Sequence, residues 1–171
     1  PHHQPFNYFA NYAPGTAARK EHLRDGSDFI DAIDKGTLPA VSFYKPTGRE
    51  TQHPSYTDIM TGDRHISEIL AKLEKSPQWK NMLVIVTYDE NGGYWDHVAP
   101  PAGPGWGDRW GPGSRIPTIL IGPTVRRGFI DSTPYDTTSI LKFITARFGL
   151  EPLPGVRANA GDLTGALQPT Q

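Results

Sequence analysis

The chain contains no cysteine among its 171 residues. Disulfides, thiolate nucleophiles and thiolate metal sites are thereby excluded. The compartment stays open, because oxidising environments permit disulfides without requiring them. An excess of either charge is also missing: 17 Lys and Arg against 18 Asp and Glu give a formal net charge of -1, with the basic residues spread along the sequence. That argues against a nucleic-acid footprint or a polybasic membrane surface and leaves small molecules as the expected partners. The longest uncharged apolar run is only strand-sized, so no transmembrane segment is expected. There is no internal repeat. The length fits one domain over 1–171 with its own core. The sequence opens on Pro1-His2-His3 with neither an initiator methionine nor a charged-then-apolar leader in it, and we expect a processed product or a fragment of something longer.

What the chain does have is concentrated after the apolar run Met82-Leu83-Val84-Ile85-Val86. A short run without polar alternation reads as a strand covered on both faces, as in a parallel sheet. It leads into Thr87-Tyr88-Asp89-Glu90-Asn91-Gly92-Gly93-Tyr94-Trp95-Asp96-His97-Val98-Ala99-Pro100-Pro101. Two adjacent carboxylates thus stand where a buried strand ends, which is where ligands of open α/β sheets bind. Side by side they repel unless a positive charge sits between them, and their hard oxygens suit a divalent cation. The competing reading is a polar turn, since Asp, Asn and Gly are the usual turn residues. An EF-hand fails, because the glutamate it needs at its twelfth position is here Pro100.

Periodicity supplies the remaining frame. Residues 1–24, rich in Asn, Pro and aromatics, read as an ordered loop whose Phe6, Tyr8, Phe9 and Tyr12 are packed. A short helix over 27–35 is capped by Ser27 and stopped by Gly36. Residues 38–44 read as a strand. A second helix over 64–75 carries an Ile66, Ile69, Leu70 and Leu73 stripe. With the strand at 82–86 this makes a crossover unit with parallel strands. The Gly, Pro and Trp of 100–112, with Trp106 and Trp110, suggest a lid or wall. A strand over 116–121 has Pro117 near its start, and a helix over 136–148 opens with Asp136 as its cap. The tail 151–171 reads as a surface wrap or a partly disordered end. The fold class is therefore α/β, a mainly parallel sheet flanked by helices.

Of six histidines, His2, His3, His53 and His97 sit in loops, whereas His22 and His65 do not. A loop histidine beside an anion-binding site can donate to phosphoryl oxygens or protonate a leaving alkoxide. For each alone, a structural role is the commoner outcome.

The 89–101 run resembles the signature of the phosphoesterase family of bacterial acid phosphatases and phospholipases C, within the alkaline-phosphatase-like superfamily. Arg115-Ile116-Pro117, Gly122-Pro123 and Tyr135-Asp136-Thr137-Thr138-Ser139-Ile140-Leu141 support the likeness, which fades only in the tail. His2-His3-Gln4-Pro5-Phe6-Asn7-Tyr8 is similar to the acid phosphatase branch. The resemblance implies a single-metal phosphoester hydrolase in which Asp89 and Glu90 ligate one divalent cation. It also implies that His3, with His2, and His53 face the phosphoryl group, one stabilising charge and one protonating the leaving oxygen. Asp96 and His97 belong to the motif, with bracing of the loop as an alternative to direct contact. Family members carry a Ser or Thr nucleophile and further metal ligands in the half of the protein before this segment, and many open the last helix with Asp-His-Thr where this chain has Asp136-Thr137-Thr138. The resemblance thus implies a C-terminal portion, inactive by itself, whose partners are the N-terminal portion of the same enzyme and a small phosphoester, in the periplasm or secreted. The rivals are a phospholipase C or other phosphodiesterase, and a non-catalytic metal-binding or interaction module.

Overall fold

The chain divides into two compact units, Pro1–Lys80 and Asn81–Gln171. The structure, a computed structural model, describes residues 3–101, 112–156 and 158–168. Much of the expected lid, with Trp106 and Trp110, lies outside the described residues.

In the first unit, 3-10 turns at Pro5–Tyr8 and Ala10–Tyr12 lead into a short helix α1, Ala17–His22, within the segment expected to be loop. Thr16 caps α1 by accepting from the Arg19 backbone N–H at 3.2 Å, and the following Ala-Ala-Arg-Lys-Glu run favours helix. The Arg19 guanidinium holds the turns by donating to Asn7 Oδ1 at 2.7 Å and to the Tyr12 carbonyl at 3.0 Å. The aromatics here meet one another rather than a core. Phe6 lies 5.3 Å from Tyr12, yet Phe6, Tyr8 and Phe9 are exposed.

Helix α2, Gly26–Lys35, begins at Asp25 rather than Ser27: the Asp25 backbone N–H donates to the Asp28 carboxylate at 3.3 Å. Gly36 ends it in the left-handed region, as expected, and Ile33 is fully buried. Helix α3, Ile59–Leu73, starts five residues before the expected 64, because Asp58 caps it by accepting from the Thr61 N–H at 2.7 Å. Its inward positions continue the predicted stripe upward: 62, 65, 66, 69, 70 and 73 share one face.

The expected strand at 38–44 does not form. Both backbone groups of Leu38 are taken by one side-chain amide: its N–H donates to Gln78 Oε1 at 2.9 Å, and Gln78 Nε2 donates to its carbonyl at 3.1 Å. Pro39 and Pro46 remove further donors, and Phe43 is 76 % exposed. An apolar run is only permissive; a strand also needs a neighbour.

The second unit holds the ladder found among the described residues. Strand β1, Val84–Thr87, pairs antiparallel with β2, Thr118–Ile121, in the register Val84↔Ile121 through Thr87↔Thr118. The expected parallel pairing is corrected accordingly, and β1 is half-buried rather than covered on both faces. The Thr87 hydroxyl donates to the Pro117 carbonyl at 3.1 Å and lies 2.9 Å from that of Thr118, closing the end of the ladder where the carboxylates follow.

Helix α4, Thr138–Phe148, starts two residues after the expected 136, with Thr137 rather than Asp136 at the N-cap position; the Asp136 carboxylate still accepts from the Thr138 N–H at 2.7 Å. The tail is more than a surface wrap. Leu163 and Ala166 are buried, Val125 bridges to Leu167, and the Gln168 N–H donates to the Thr124 carbonyl at 2.7 Å. Together with Ile33 and Leu73 of the first unit, those two residues are the buried hydrophobic side chains among the described residues. No helix among these residues is long and apolar enough to cross a membrane.

Candidate functional site

Asp89 and Glu90 leave β1 after Tyr88, both exposed. Gly92 and Gly93 follow with φ of 69° and 75°, conformations that a side chain disfavours, so the glycines allow an immediate reversal of the chain. The turn is closed by its own polar groups. Glu90 Oε2 accepts from the Gly92 N–H at 2.6 Å, Asn91 Oδ1 accepts from the Gly93 N–H at 3.3 Å, and the Asn91 amide donates to the Tyr94 carbonyl at 3.1 Å. The turn reading is thus met by the structure, with one oxygen of the exposed Glu90 engaged by the backbone.

The loop is anchored downstream by Asp96. Its Oδ1 accepts from the Val98 N–H at 3.0 Å and from Arg115 Nη2 at 2.9 Å, and its Oδ2 accepts from Arg115 Nε at 3.0 Å and from the Arg115 backbone N–H at 3.2 Å. The guanidinium fork, then the Val98 N–H, hold the Asp96 carboxyl well below the usual carboxylate range, and the same pair pushes Arg115 up. Asp96 is thereby an ionised brace. His97, next to it, is exposed.

In the first unit, His53 opens a tight turn. The Tyr56 and Thr57 N–H groups both donate to the His53 carbonyl at 3.2 Å, and Ser55 takes a φ of 72° that few non-glycine residues adopt. The imidazole Nδ1 lies 2.6 Å from the Pro54 carbonyl. A carbonyl only accepts, so Nδ1 carries the proton and Nε2 is the ring nitrogen left for chemistry. The Tyr56 ring meets the imidazole edge-on at 4.8 Å. His3 is exposed in the opening segment, and His2 lies outside the described residues.

Sequence reasoning passed over His65. Its side chain is only 14 % exposed, with Nε2 2.8 Å from the Tyr44 hydroxyl and Nδ1 3.5 Å from Glu50 Oε1. The signal was present in the helical period, which puts a histidine and a glycine, His65 and Gly62, on the apolar face of α3.

Which cation the loop would take is constrained by its donors. Asp89 and Glu90 offer hard oxygens, as a divalent cation requires. Among the described residues, no group of three or more His, Cys, Asp or Glu side chains is arranged to hold a metal ion.

The Phosphoesterase family profile matches residues 1–151. The chain is 30 % identical over 200 residues to the non-hemolytic phospholipase C of Burkholderia pseudomallei, a match covering 94 % of this chain and 28 % of that protein. It is 34 % identical over 163 residues to phospholipase C A of Mycobacterium tuberculosis, covering 81 % of this chain and 31 % of the relative. It is also 32 % identical over 145 residues to the non-specific phospholipase C6 of Arabidopsis thaliana, covering 68 % and 27 %. The chain thus spans less than a third of the length of these relatives. With the profile running unbroken across both units to residue 151, the chain belongs to the Phosphoesterase family.

Proposed function

We propose that this chain carries the metal-holding acids and the proton-transferring histidines of a phosphate-ester hydrolase of the acid phosphatase type, with an alkaline-phosphatase-like fold in the intact enzyme. The observation that carries the reading is the Asp89-Glu90 pair at the end of β1, on a double-glycine reversal, in a chain of this family. Both acids are exposed and so open to a cation and to donors from outside this chain. Two carboxylates leave most of a hard cation's coordination to other donors, and in this reading the N-terminal portion of the enzyme supplies them together with the hydroxyl nucleophile. The exposed apolar side chains fit such a partner: Phe43 and Met60 in the first unit are 76 % and 75 % exposed, Trp95 and Ile130 in the second 89 % and 87 %. When bound, the cation would neutralise charge on the phosphoryl oxygens.

The chain's own residues do the rest. His53 holds its Nδ1 proton against Pro54, so that a second proton is delivered from Nε2 to the departing alkoxide. His3, with His2, donates to phosphoryl oxygens, and His97 with Asp96 keeps the ligand loop in shape. The enzyme works in the periplasm or outside the cell.

A second reading, a phospholipase C, is favoured by the names of the relatives. It shares the metal chemistry but must admit a second ester group. Turnover of glycerol phosphate against phosphatidylcholine by the full-length protein separates the two: the proposal expects the monoester to be preferred, and exclusive turnover of the diester refutes the acid phosphatase type. Activity with neither, in the presence of divalent cations, favours a non-catalytic module.

A further inference from the structure

We propose that His65 and Gly62 of α3 are positioning residues for His53, fixing the loop 44–53 against the helix so that the His53 imidazole is delivered in one orientation. The proposal rests on the reading of His53 as the proton donor.

Two independent contacts carry it. Gly62 is buried, and a Cβ there would meet the Thr51 carbonyl oxygen at 2.7 Å and its carbon at 2.8 Å, with the Gln52 side chain closer still. Only glycine lets the backbone two residues before His53 lie directly on the helix. One turn along the same face, His65 grips the loop's other end. Glu50 is a carboxylate that only accepts, which places the His65 proton on Nδ1 facing it; Nε2 then accepts from the Tyr44 hydroxyl at 2.8 Å. Burial first, and the Glu50 charge second, push the Tyr44 hydroxyl up, so it stays protonated as the donor.

Tyr44 is in turn held flat on Phe29 of α2, with ring centroids 4.5 Å apart and planes 7° from parallel. Further hydrogen bonds brace the loop up to the His53 backbone. Glu50 Oε2 accepts from the Thr47 hydroxyl at 3.0 Å, the Glu50 N–H donates to the Thr47 carbonyl at 2.9 Å, and the Thr51 hydroxyl donates to the Gly48 carbonyl at 3.2 Å while accepting from the His53 N–H at 3.3 Å. A polar side chain on a helix's apolar face is thereby fully employed, and its employment is to hold this loop.

The test is leaving-group dependence of kcat/KM in the full-length enzyme, which reports the step in which the alkoxide departs. Glycerol phosphate is compared with para-nitrophenyl phosphate, whose leaving group needs no proton; for a diesterase, phosphatidylcholine is compared with para-nitrophenyl phosphorylcholine. His53→Ala, His65→Ala, His65→Gln, Gly62→Ala and the double variant His53→Ala with His65→Ala are measured, with melting curves to identify folded variants. The proposal expects His65→Ala to lose about 10- to 100-fold on the alkyl ester and no more than about 3-fold on the aryl ester. His65→Gln, which keeps an amide donor and acceptor, recovers part of the loss. The double variant loses no more than His53→Ala alone, because His65 acts through His53. Gly62→Ala, where folded, repeats the His65→Ala pattern. Equal losses on both esters by His65→Ala, or losses that multiply in the double variant, overturn the positioning role while a selective His53→Ala leaves the proton-donor reading standing. An unselective His53→Ala overturns both.

Discussion

Arg115 lays its guanidinium fork on Asp96, with Nη2 to Oδ1 at 2.9 Å and Nε to Oδ2 at 3.0 Å, and so ties the loop after β1 to the residues just before β2. The end of the ladder where Thr87 pairs with Thr118 is thereby held independently of the strands' own hydrogen bonds. The motif supplies its own brace.

That brace has a pH signature. The Asp96 carboxyl is held below its ordinary range, so its contribution is present in full above about pH 4 and is lost as pH falls through the lowered value. Asp96→Asn is expected to melt below the wild type at pH 7, with the gap narrowing as pH is taken from 4 towards 2. Thermal melts across that range check it, and a gap independent of pH contradicts the ionised brace. Arg115→Lys, which keeps the charge and loses the fork, is expected to fall between the two.

Gly122 meets the chain just before β1 so closely that a Cβ there would sit 2.4 Å from the Met82 carbonyl oxygen. Because that atom is backbone, the contact can be relieved only by shifting the chain next to β1. Gly122→Ala is expected to cost about 1–3 kcal/mol in urea unfolding. An unchanged midpoint contradicts the close approach.

Ile33 is fully buried in α2, whereas Ile130 is 87 % exposed. Ile33→Ala is expected to destabilise the chain by about 2–5 kcal/mol, and Ile130→Ala by no more than about 0.5 kcal/mol. Paired denaturation curves check the ranking, and comparable losses contradict the assignment of the core.

The helices were legible because their signals are local. Gly36 and the Ile66-Ile69-Leu70-Leu73 stripe act within a turn or two of themselves, and each lies where its pattern placed it. Boundaries moved where a better cap stood nearby, as at Asp25 and Asp58. The 38–44 strand failed for a non-local reason: Gln78, forty residues away, satisfies Leu38 and leaves no ladder to join. Strand direction was equally non-local, since pairing of β1 with β2 depends on residues over thirty positions apart. At the candidate site, the acids and glycines could be read from the motif, but the Asp96 and Arg115 contact could not, because nineteen positions separate the partners. His65 was hidden by its helical setting, which looks structural until its loop contacts are seen.

The central claim is that Asp89 and Glu90 hold a divalent cation on which hydrolysis depends. The most direct measurement is metal content by elemental analysis, together with turnover, of the full-length protein as wild type, as Asp89→Asn and after chelation. The expected result is one bound cation in the wild type, lost with turnover in Asp89→Asn at an unchanged circular dichroism spectrum, and turnover restored to the chelated wild type by added cation. Full turnover in Asp89→Asn, or in the metal-stripped wild type, contradicts it.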